Sequence, residues 1–156
     1  MRPHLRRLVG TAATLALGAI AAPPAGAQAP APPCTLLTPA QVAAEVGAPM
    51  RAGEATGTTG CQWVATTEVA SAIPRVTLVF YGADAWSGMT ANFARVTRTT
   101  VSGLGDAAVY STVGNLTTLS VKRGRTVFAL RLYGIDGAEK QMAVERALAL
   151  AVLGKI

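Results

Sequence analysis

Histidine is almost absent from this chain, and its absence removes several kinds of active site. Among 156 residues the single histidine is His4, which lies in an N-terminal segment with the features of a cleaved leader. Ser–His and Cys–His nucleophile pairs, histidine-ligated zinc and the His-Glu-x-x-His motif all require an imidazole. The exported part of the chain is therefore expected to use none of these chemistries.

Acidic residues are also scarce, which limits catalysis by paired carboxylates. Of the 8 Asp and Glu residues, Asp84 and Asp136 stand where helices are expected to begin, and Glu139 completes an Asp-x-x-Glu capping pattern. Glu145 lies beside Arg146 on a predicted helix. No Ser-x-x-Lys motif occurs, which disfavours a Ser–Lys dyad. We expect no enzyme activity, no catalytic residue, no cofactor and no metal site.

Residues 1–27 have the three parts of a secretory signal peptide. Arginines precede an apolar stretch at residues 8–22, and Ala-Gly-Ala before residue 28 resembles a cleavage site. The apolar stretch is too short, and too often interrupted by Thr and Gly, for a membrane-spanning helix. We expect a secreted or periplasmic protein, cleaved near Ala27, with no transmembrane segment.

The positive charge is modest once the leader is removed. Three of the 14 Lys and Arg residues and none of the 8 acids lie in residues 1–27, so the net charge falls from +6 to +3. Such a domain lacks the dense basic face that binds a phosphate backbone, which argues against nucleic acid as a partner. Weak attraction to anionic cell-envelope polymers is compatible with this charge.

The chain has 2 cysteines, Cys34 and Cys61. In an exported chain such a pair is usually a disulfide, and this spacing is far from that of Cys-x-x-Cys. The alternative is a lipid anchor on Cys34, but the preceding Ala-Pro-Pro lacks the pattern that lipoprotein processing recognises. We therefore expect a disulfide that ties the N-terminal arm to the core.

Composition divides the exported chain into a tether and one domain. Residues 28–33 are rich in Ala and Pro and are expected to form an extended tether. Residues 34–156 are sufficient for a single hydrophobic core. Within them, Gly and Thr dominate residues 53–60, which are predicted to be an exposed, mobile loop.

Three segments have helical patterns. Thr38 begins a capping box for a short helix at about residues 39–46. A C-terminal helix, capped by Asp136, is predicted at about residues 137–153. A middle helix is predicted after Asp84, because apolar residues recur at steps of three and four, namely Trp86, Met89, Phe93 and Val96.

Strand patterns complete the predicted fold, at about residues 61–67, 75–81, 107–111, 116–121 and 126–133. The last three are separated by short turns, as in an antiparallel meander. In the last strand, side chains alternate as a sheet covered on one face requires. We expect an α+β fold, an antiparallel sheet of about five strands on which a short N-terminal helix, a middle helix and a C-terminal helix pack.

Three short motifs carry a family resemblance. They are Cys-Thr-Leu-Leu-Thr at residues 34–38, Gly-Cys-Gln-Trp at 60–63 and Val-Ser-Gly-Leu-Gly-Asp-Ala-Ala at 101–108. In this order they resemble a family of bacterial secreted and lipid-anchored proteins that carry a domain of unknown function. The resemblance implies an α+β domain, a bridge between Cys34 and Cys61 and an envelope location. It transfers no catalytic residue, and this chain lacks the lipid-modified first cysteine of many members.

Aromatic and basic residues are the remaining candidates for binding. Aromatic rings on a sheet can stack against sugars or apolar ligands, and the rings considered are Trp63, Tyr81, Trp86, Tyr110 and Tyr133. For most of them, and for Trp63 beside Cys61 in particular, core packing is the preferred interpretation. The candidate interaction surface consists of Lys122, Arg123, Arg125, Trp86 and Tyr133. The basic residues of this surface are also explained by a second interpretation, a charged turn that keeps a sheet edge soluble.

These observations favour a secreted, non-enzymatic envelope domain that binds a small ligand, a polymer or a protein. The loop at residues 53–60 and the basic turn at 122–125 are its most exposed candidate contacts. An accessory or sensor module of an envelope enzyme or receptor is the alternative. A carboxylate-based hydrolase is the least favoured one, because it requires two convergent carboxylates.

Overall fold

A computed structural model describes residues 31–156, so the predicted signal peptide and the start of the tether lie outside the described residues. The fold is α+β, with one antiparallel sheet in the order β1-β2-β3-β7-β6-β5-β4. Its strands are β1 (Glu54–Thr56), β2 (Gly60–Val64), β3 (Arg75–Tyr81), β4 (Thr97–Val101), β5 (Ala107–Val113), β6 (Leu116–Arg123) and β7 (Thr126–Tyr133). The helices are α1 (Pro39–Val46), α2 (Ala85–Thr90) and α3 (Ala138–Leu153), after a 3-10 turn at Pro33–Thr35.

The sheet has seven strands, and the prediction of about five was therefore wrong. The two additional strands, β1 and β4, are the edges of the sheet. β1 lies in the Gly- and Thr-rich segment that was predicted to be a loop, and all of its residues are exposed. β4 is rich in threonine and has no buried residue. Because neither edge strand has a buried face, neither segment has the apolar alternation that identifies an inner strand.

One face of the sheet, here called the covered face, packs against α1 and α3. Its side chains include Trp63, Leu78, Leu130 and Leu119, each with an exposed fraction of 0%. Val144, Leu148 and Val152 of α3 belong to the same core. The main stabilising burial of apolar surface is therefore on this face.

The predicted disulfide between Cys34 and Cys61 is confirmed, with a Cα–Cα distance of 5.1 Å. Trp63 lies beside it on β2, as expected. A Cβ atom on Gly53 would lie 2.7 Å from both Cys61 Sγ and Trp63 Nε1. Only glycine therefore lets the chain before β1 pass this close to the sulfur and the indole.

The capping residue predicted from the sequence is found at the start of α1 but not at the start of α3. In α1 the capping box is complete, since Gln41 N–H donates to the Thr38 hydroxyl and Thr38 N–H donates to Gln41 Oε1 at 2.9 Å. In α3 the N-cap is Gly137, with φ 86°, and no side chain caps the helix. The expected cap by Asp136 is therefore wrong, because the chain enters α3 through a glycine conformation one residue later.

The middle helix is shorter than predicted. α2 ends at Thr90, Asp84 makes no capping hydrogen bond with its side chain, and no residue of α2 is buried. Phe93 lies beyond the helix and is 60% exposed. The recurrence of apolar residues in this segment therefore did not indicate a continuous helix. In residues 31–156, no helix is long and apolar enough to span a membrane.

Candidate binding cavity on the open face of the sheet

The connection between β3 and β4, residues 82–96, crosses the sheet and is here called the crossover segment. β3 is the third strand of the sheet and β4 is the far edge, with β7, β6 and β5 between them. Met89 and Val96 of the segment line a cavity together with Ala129 and Arg131 of β7. The segment therefore passes over the face opposite α3, which is here called the open face.

The cavity between the crossover segment and the open face has a volume of about 510 Å³. This volume is in the range of sites that bind small organic ligands. A smaller cavity of about 70 Å³ continues it beyond Arg131. The apolar part of the larger lining is Met89, Val96, Val113, Leu116 and Ala129, and its polar part is Tyr81, Arg98, Ser111, Thr118, Ser120 and Arg131.

Strand register places most of these polar groups in one row across the sheet. Directly paired residues on successive strands are Glu54, Gln62, Thr77, Arg131, Thr118, Ser111 and Arg98, from β1 to β4. Paired residues on one face have Cβ atoms about 5 Å apart. The two arginines, three strands apart at about 14 Å between their Cα atoms, are therefore separated by two hydroxyl groups.

Arg98 is held at the β4 end of this row. Its Nε–H donates to the carbonyl oxygen of Ala91 in the crossover segment at 2.7 Å, and its Nη1 donates to the Ser111 hydroxyl on β5. The Phe93 ring centroid lies 6.0 Å from Arg98 Cζ. Half-buried Arg98 therefore joins the crossover segment to the sheet and points toward β5.

Arg131 occupies the β7 end of the row. Its Nε–H donates to the Thr118 hydroxyl at 3.0 Å, and its Nη1 donates to the Tyr133 hydroxyl at 3.1 Å. Thr118 and Ser111 are themselves paired across β6 and β5. Each arginine thus donates one of its two hydrogen bonds to the hydroxyl on the strand nearer to the other arginine.

The open face carries positive charge on the strands from β3 to β4. Register places Arg75, Arg98, Lys122 and Arg131 on this face of the strands from β3 to β4, and no Asp or Glu lies among the residues sharing it there. The crossover segment adds one residue of each sign, Asp84 and Arg95. Because neither arginine of the row is hydrogen-bonded to a carboxylate in residues 31–156, their charge remains available to a ligand.

Of the candidate surface residues predicted from the sequence, Tyr133 alone lines one of the two described cavities. Tyr133 borders the smaller cavity, and its hydroxyl accepts a hydrogen bond from Arg131. Trp86 lies in α2, half-buried. The guanidinium of Arg123 donates to the carbonyl oxygen of Leu153 at the end of α3. Neither described cavity includes Lys122, Arg123, Arg125 or Trp86 in its lining.

The other residues considered for binding also divide between the two faces. Tyr81 lines both cavities. Trp63 and Tyr110 are buried on the covered face, where Tyr110 donates its hydroxyl hydrogen to the carbonyl oxygen of Met142 at 2.6 Å. The segment at residues 53–60 forms β1 and its turn, at the sheet edge opposite β4. Asp106 accepts a hydrogen bond from Gly124 N–H at 2.6 Å, so it ties two turns together.

A buried polar cluster beneath α3 is a further feature that sequence reasoning missed. Thr117, Gln141 and Glu145 are almost fully buried on the covered face, and the Thr117 hydroxyl lies 3.1 Å from both Gln141 Oε1 and Glu145 Oε2. Gln141 Nε2 donates to the carbonyl oxygens of Asn115 and Ile135. The spacing of Gln141 and Glu145 with Val144 and Leu148 was an available signal, because it places all four on one helix face.

Burial is the main cause of the raised pKa values of Glu145 in this cluster and of Tyr110 near it. It raises the pKa of Glu145 to about 8, against the lowering effects of the Thr117 hydrogen bond and the Arg131 charge. Burial and then the nearby Glu145 raise the pKa of Tyr110 to about 12. At neutral pH Glu145 is mainly protonated and can donate to Thr117. Because Glu145 has an exposed fraction of 0%, the cluster supports the fold and is closed to a substrate.

Neither a metal-binding group nor similarity to a known protein assigns a function to this chain. In the described part of the chain, no group of three or more His, Cys, Asp or Glu residues is placed to hold a metal ion. Comparison with protein families, with curated proteins and with solved structures finds no match. The resemblance to secreted proteins with a domain of unknown function therefore stays a prediction, and function must be inferred from the cavity itself.

Proposed function

We propose that this protein is a secreted, non-enzymatic binding domain of the cell envelope, and that its ligand occupies the cavity on the open face. The observation that carries the proposal is the preformed cavity of about 510 Å³ between the crossover segment and the sheet. A cavity of mixed polar and apolar lining is a common form of ligand site. The disulfide between Cys34 and Cys61 is compatible with the oxidising location that export would provide.

The chemistry of the lining favours binding over catalysis. Its polar side chains are guanidinium and hydroxyl groups, and no carboxylate, imidazole or thiol lines the cavity. Guanidinium is a hydrogen-bond donor that keeps its charge, so it orients a ligand but does not exchange protons with it. A hydrolase would instead need the convergent carboxylates that the sequence already disfavoured.

A fragment screen by nuclear magnetic resonance tests the proposal without knowledge of the ligand. We expect fragments that bind the wild-type protein to shift backbone amides near Met89, Ser111 and Ala129. Ala129 is 8% exposed and central to both cavities, so Ala129→Phe should fill the site and abolish these shifts. Ala44→Phe, the same change on the exposed side of α1, is the matched control.

Two results would overturn this function. One is a fragment set that shifts amides only outside the cavity, for example at the β1 turn. The other is retention of binding in a folded Ala129→Phe protein. Near-ultraviolet circular dichroism of both variants establishes that each keeps its tertiary structure.

A further inference from the structure

The cavity has a polar side and an apolar side, and these two sides follow each other along the direction of β5 and β6. Ser111 and Thr118 form a cross-strand pair, and Val113 and Leu116 form another pair two residues further along β5 and β6. Two residues of a strand extend about 7 Å. A ligand that spans the cavity therefore meets a hydrogen-bonding row at one point and an apolar surface about 7 Å away.

The polar row is suited to an anion. Arg98 and Arg131 each use two N–H groups in the hydrogen bonds described above. A guanidinium has five N–H donors, so three on each arginine have no partner within residues 31–156. All four acceptors of these bonds are uncharged oxygens. Carboxylate, sulfonate or phosphate oxygens would be stronger acceptors, because both members of the hydrogen bond would then be charged.

The two hydroxyl groups between the arginines each accept a hydrogen bond from one guanidinium group. Thr118 holds Arg131 from the β6 side, and Ser111 holds Arg98 from the β5 side. Since Thr118 and Ser111 are neighbours, an acidic group above them is flanked by a guanidinium on each side. On the strands from β3 to β4 no acidic residue shares this face, and the carboxylate that continues the row, Glu54 on β1, lies three strands beyond Arg131 on the side away from Thr118.

Resting on the proposed function, we infer that the ligand is an amphipathic organic anion, with one acidic head group and an apolar body. Arg98 and Arg131 bind the head group above Ser111 and Thr118. The apolar body lies against Val113 and Leu116, with Met89 of the crossover segment on its other side. The acidic head group is the chemistry shared by fatty acids and by small aromatic acids.

Two dyes with the same ring system provide a direct test. 8-Anilinonaphthalene-1-sulfonate carries a sulfonate, whereas N-phenyl-1-naphthylamine is neutral. We expect the wild-type protein to bind the sulfonate dye at least about tenfold more tightly, measured by fluorescence titration. Added NaCl should weaken the binding of the sulfonate dye and not that of the neutral dye, because salt screens an exposed charge.

Single substitutions test which arginines make the protein bind the sulfonate dye more tightly than the neutral dye. Arg131→Met should weaken binding of the sulfonate dye about tenfold and leave the neutral dye unchanged, since methionine keeps an apolar stem but removes the charge. Arg98→Met should act in the same direction. Arg125→Met removes one charge from the exposed turn between β6 and β7, and we expect it to change neither dye. If Arg131→Met does not fold, Arg131→Lys should still lower sulfonate affinity, because an ammonium lacks the planar fork of donors.

The outcomes separate this inference from the proposed function. Equal affinity for the two dyes, or an equal loss with Arg125→Met, overturns the anionic ligand while the cavity remains a binding site. Fragment shifts that are absent from the cavity overturn both. Displacement of the sulfonate dye by decanoate and not by benzoate identifies a fatty acid, whereas the reverse identifies an aromatic acid.

Discussion

The two faces of the sheet are built by the same strands, yet they have different chemistry. On β3, Leu78 points to the covered face and is completely buried, whereas its neighbour Val79 is half-buried on the open face. The covered face holds large apolar side chains and one buried carboxyl group. The open face holds hydroxyl groups, arginines and smaller apolar side chains such as Val79 and Ala129. The covered face contains most of the buried apolar side chains, and the open face is the one on which we propose that a ligand binds.

Adjacent residues on β3 give the sharpest test of this comparison. Leu78→Ala leaves a cavity in the core and should lower the free energy of unfolding by about 3 to 4 kcal/mol. Val79→Ala removes two methyl groups that are only half-buried, and it should cost about 1 kcal/mol. Urea denaturation followed by tryptophan fluorescence measures both. Equal losses would show that the open face is packed as a core.

The buried carboxyl group predicts an unusual dependence on pH. Because the folded pKa of Glu145, about 8, lies above its usual value of 4.5, the unfolded chain releases this proton first. The contribution of Glu145 to stability is therefore greatest below pH 4.5, falls as pH rises, and levels off above pH 8.

Glu145→Gln should remove this dependence, because glutamine resembles the protonated acid in both states. The gain in the free energy of unfolding at pH 7 should be about 2 to 3 kcal/mol. Urea midpoints of wild type and variant between pH 5 and 9 check it. Glu139→Gln, at an exposed position of α3, is the matched control. Parallel pH profiles for wild type and Glu145→Gln would contradict a buried, protonated Glu145.

The disulfide joins Cys34, before α1, to Cys61 of β2, whose side chain is buried on the covered face. Replacing both Cys34 and Cys61 by alanine should cost about 3 kcal/mol, because the residues between them gain freedom in the unfolded chain. Thermal and urea unfolding measure the loss. The affinity for the sulfonate dye at low temperature should stay near that of wild type, since the cavity lies on the other face. A folded double variant with no dye binding would show that the faces are coupled.

Arg131→Met should have the smallest effect on stability. Arg131 is exposed, so the free energy of unfolding should change by about 0.5 kcal/mol or less. The same variant is expected to lose about tenfold in affinity for the sulfonate dye. A large loss of stability in urea would assign Arg131 to the framework instead of the site.

Much of the fold could be predicted from local patterns. α1 with its capping box, the full extent of β3 and β7, and the disulfide follow from residues close together in sequence or from the single pair of cysteines. The edge strand β4 was missed although Thr and Val favour strands, because none of its residues is buried and its sequence lacks apolar alternation. Likewise, α2 is too short for periodicity to define.

The candidate site was largely hidden in the sequence for a related reason. Arg98 and Arg131 are far apart along the chain, and only the register of the intervening strands aligns them with Ser111 and Thr118. Tyr81 and Tyr133 were identified as aromatic residues on a sheet, and they do border the cavities. The burial of Glu145 was accessible in principle, because it shares a helix face with Val144 and Leu148.

The most direct test of the account is a map of backbone amide shifts in the wild-type protein on titration with the sulfonate dye. The account predicts the largest shifts at Arg98, Ser111, Thr118 and Arg131, with little change along α3. Shifts concentrated on α3, or on the turn that contains Arg125, would contradict a ligand site on the open face.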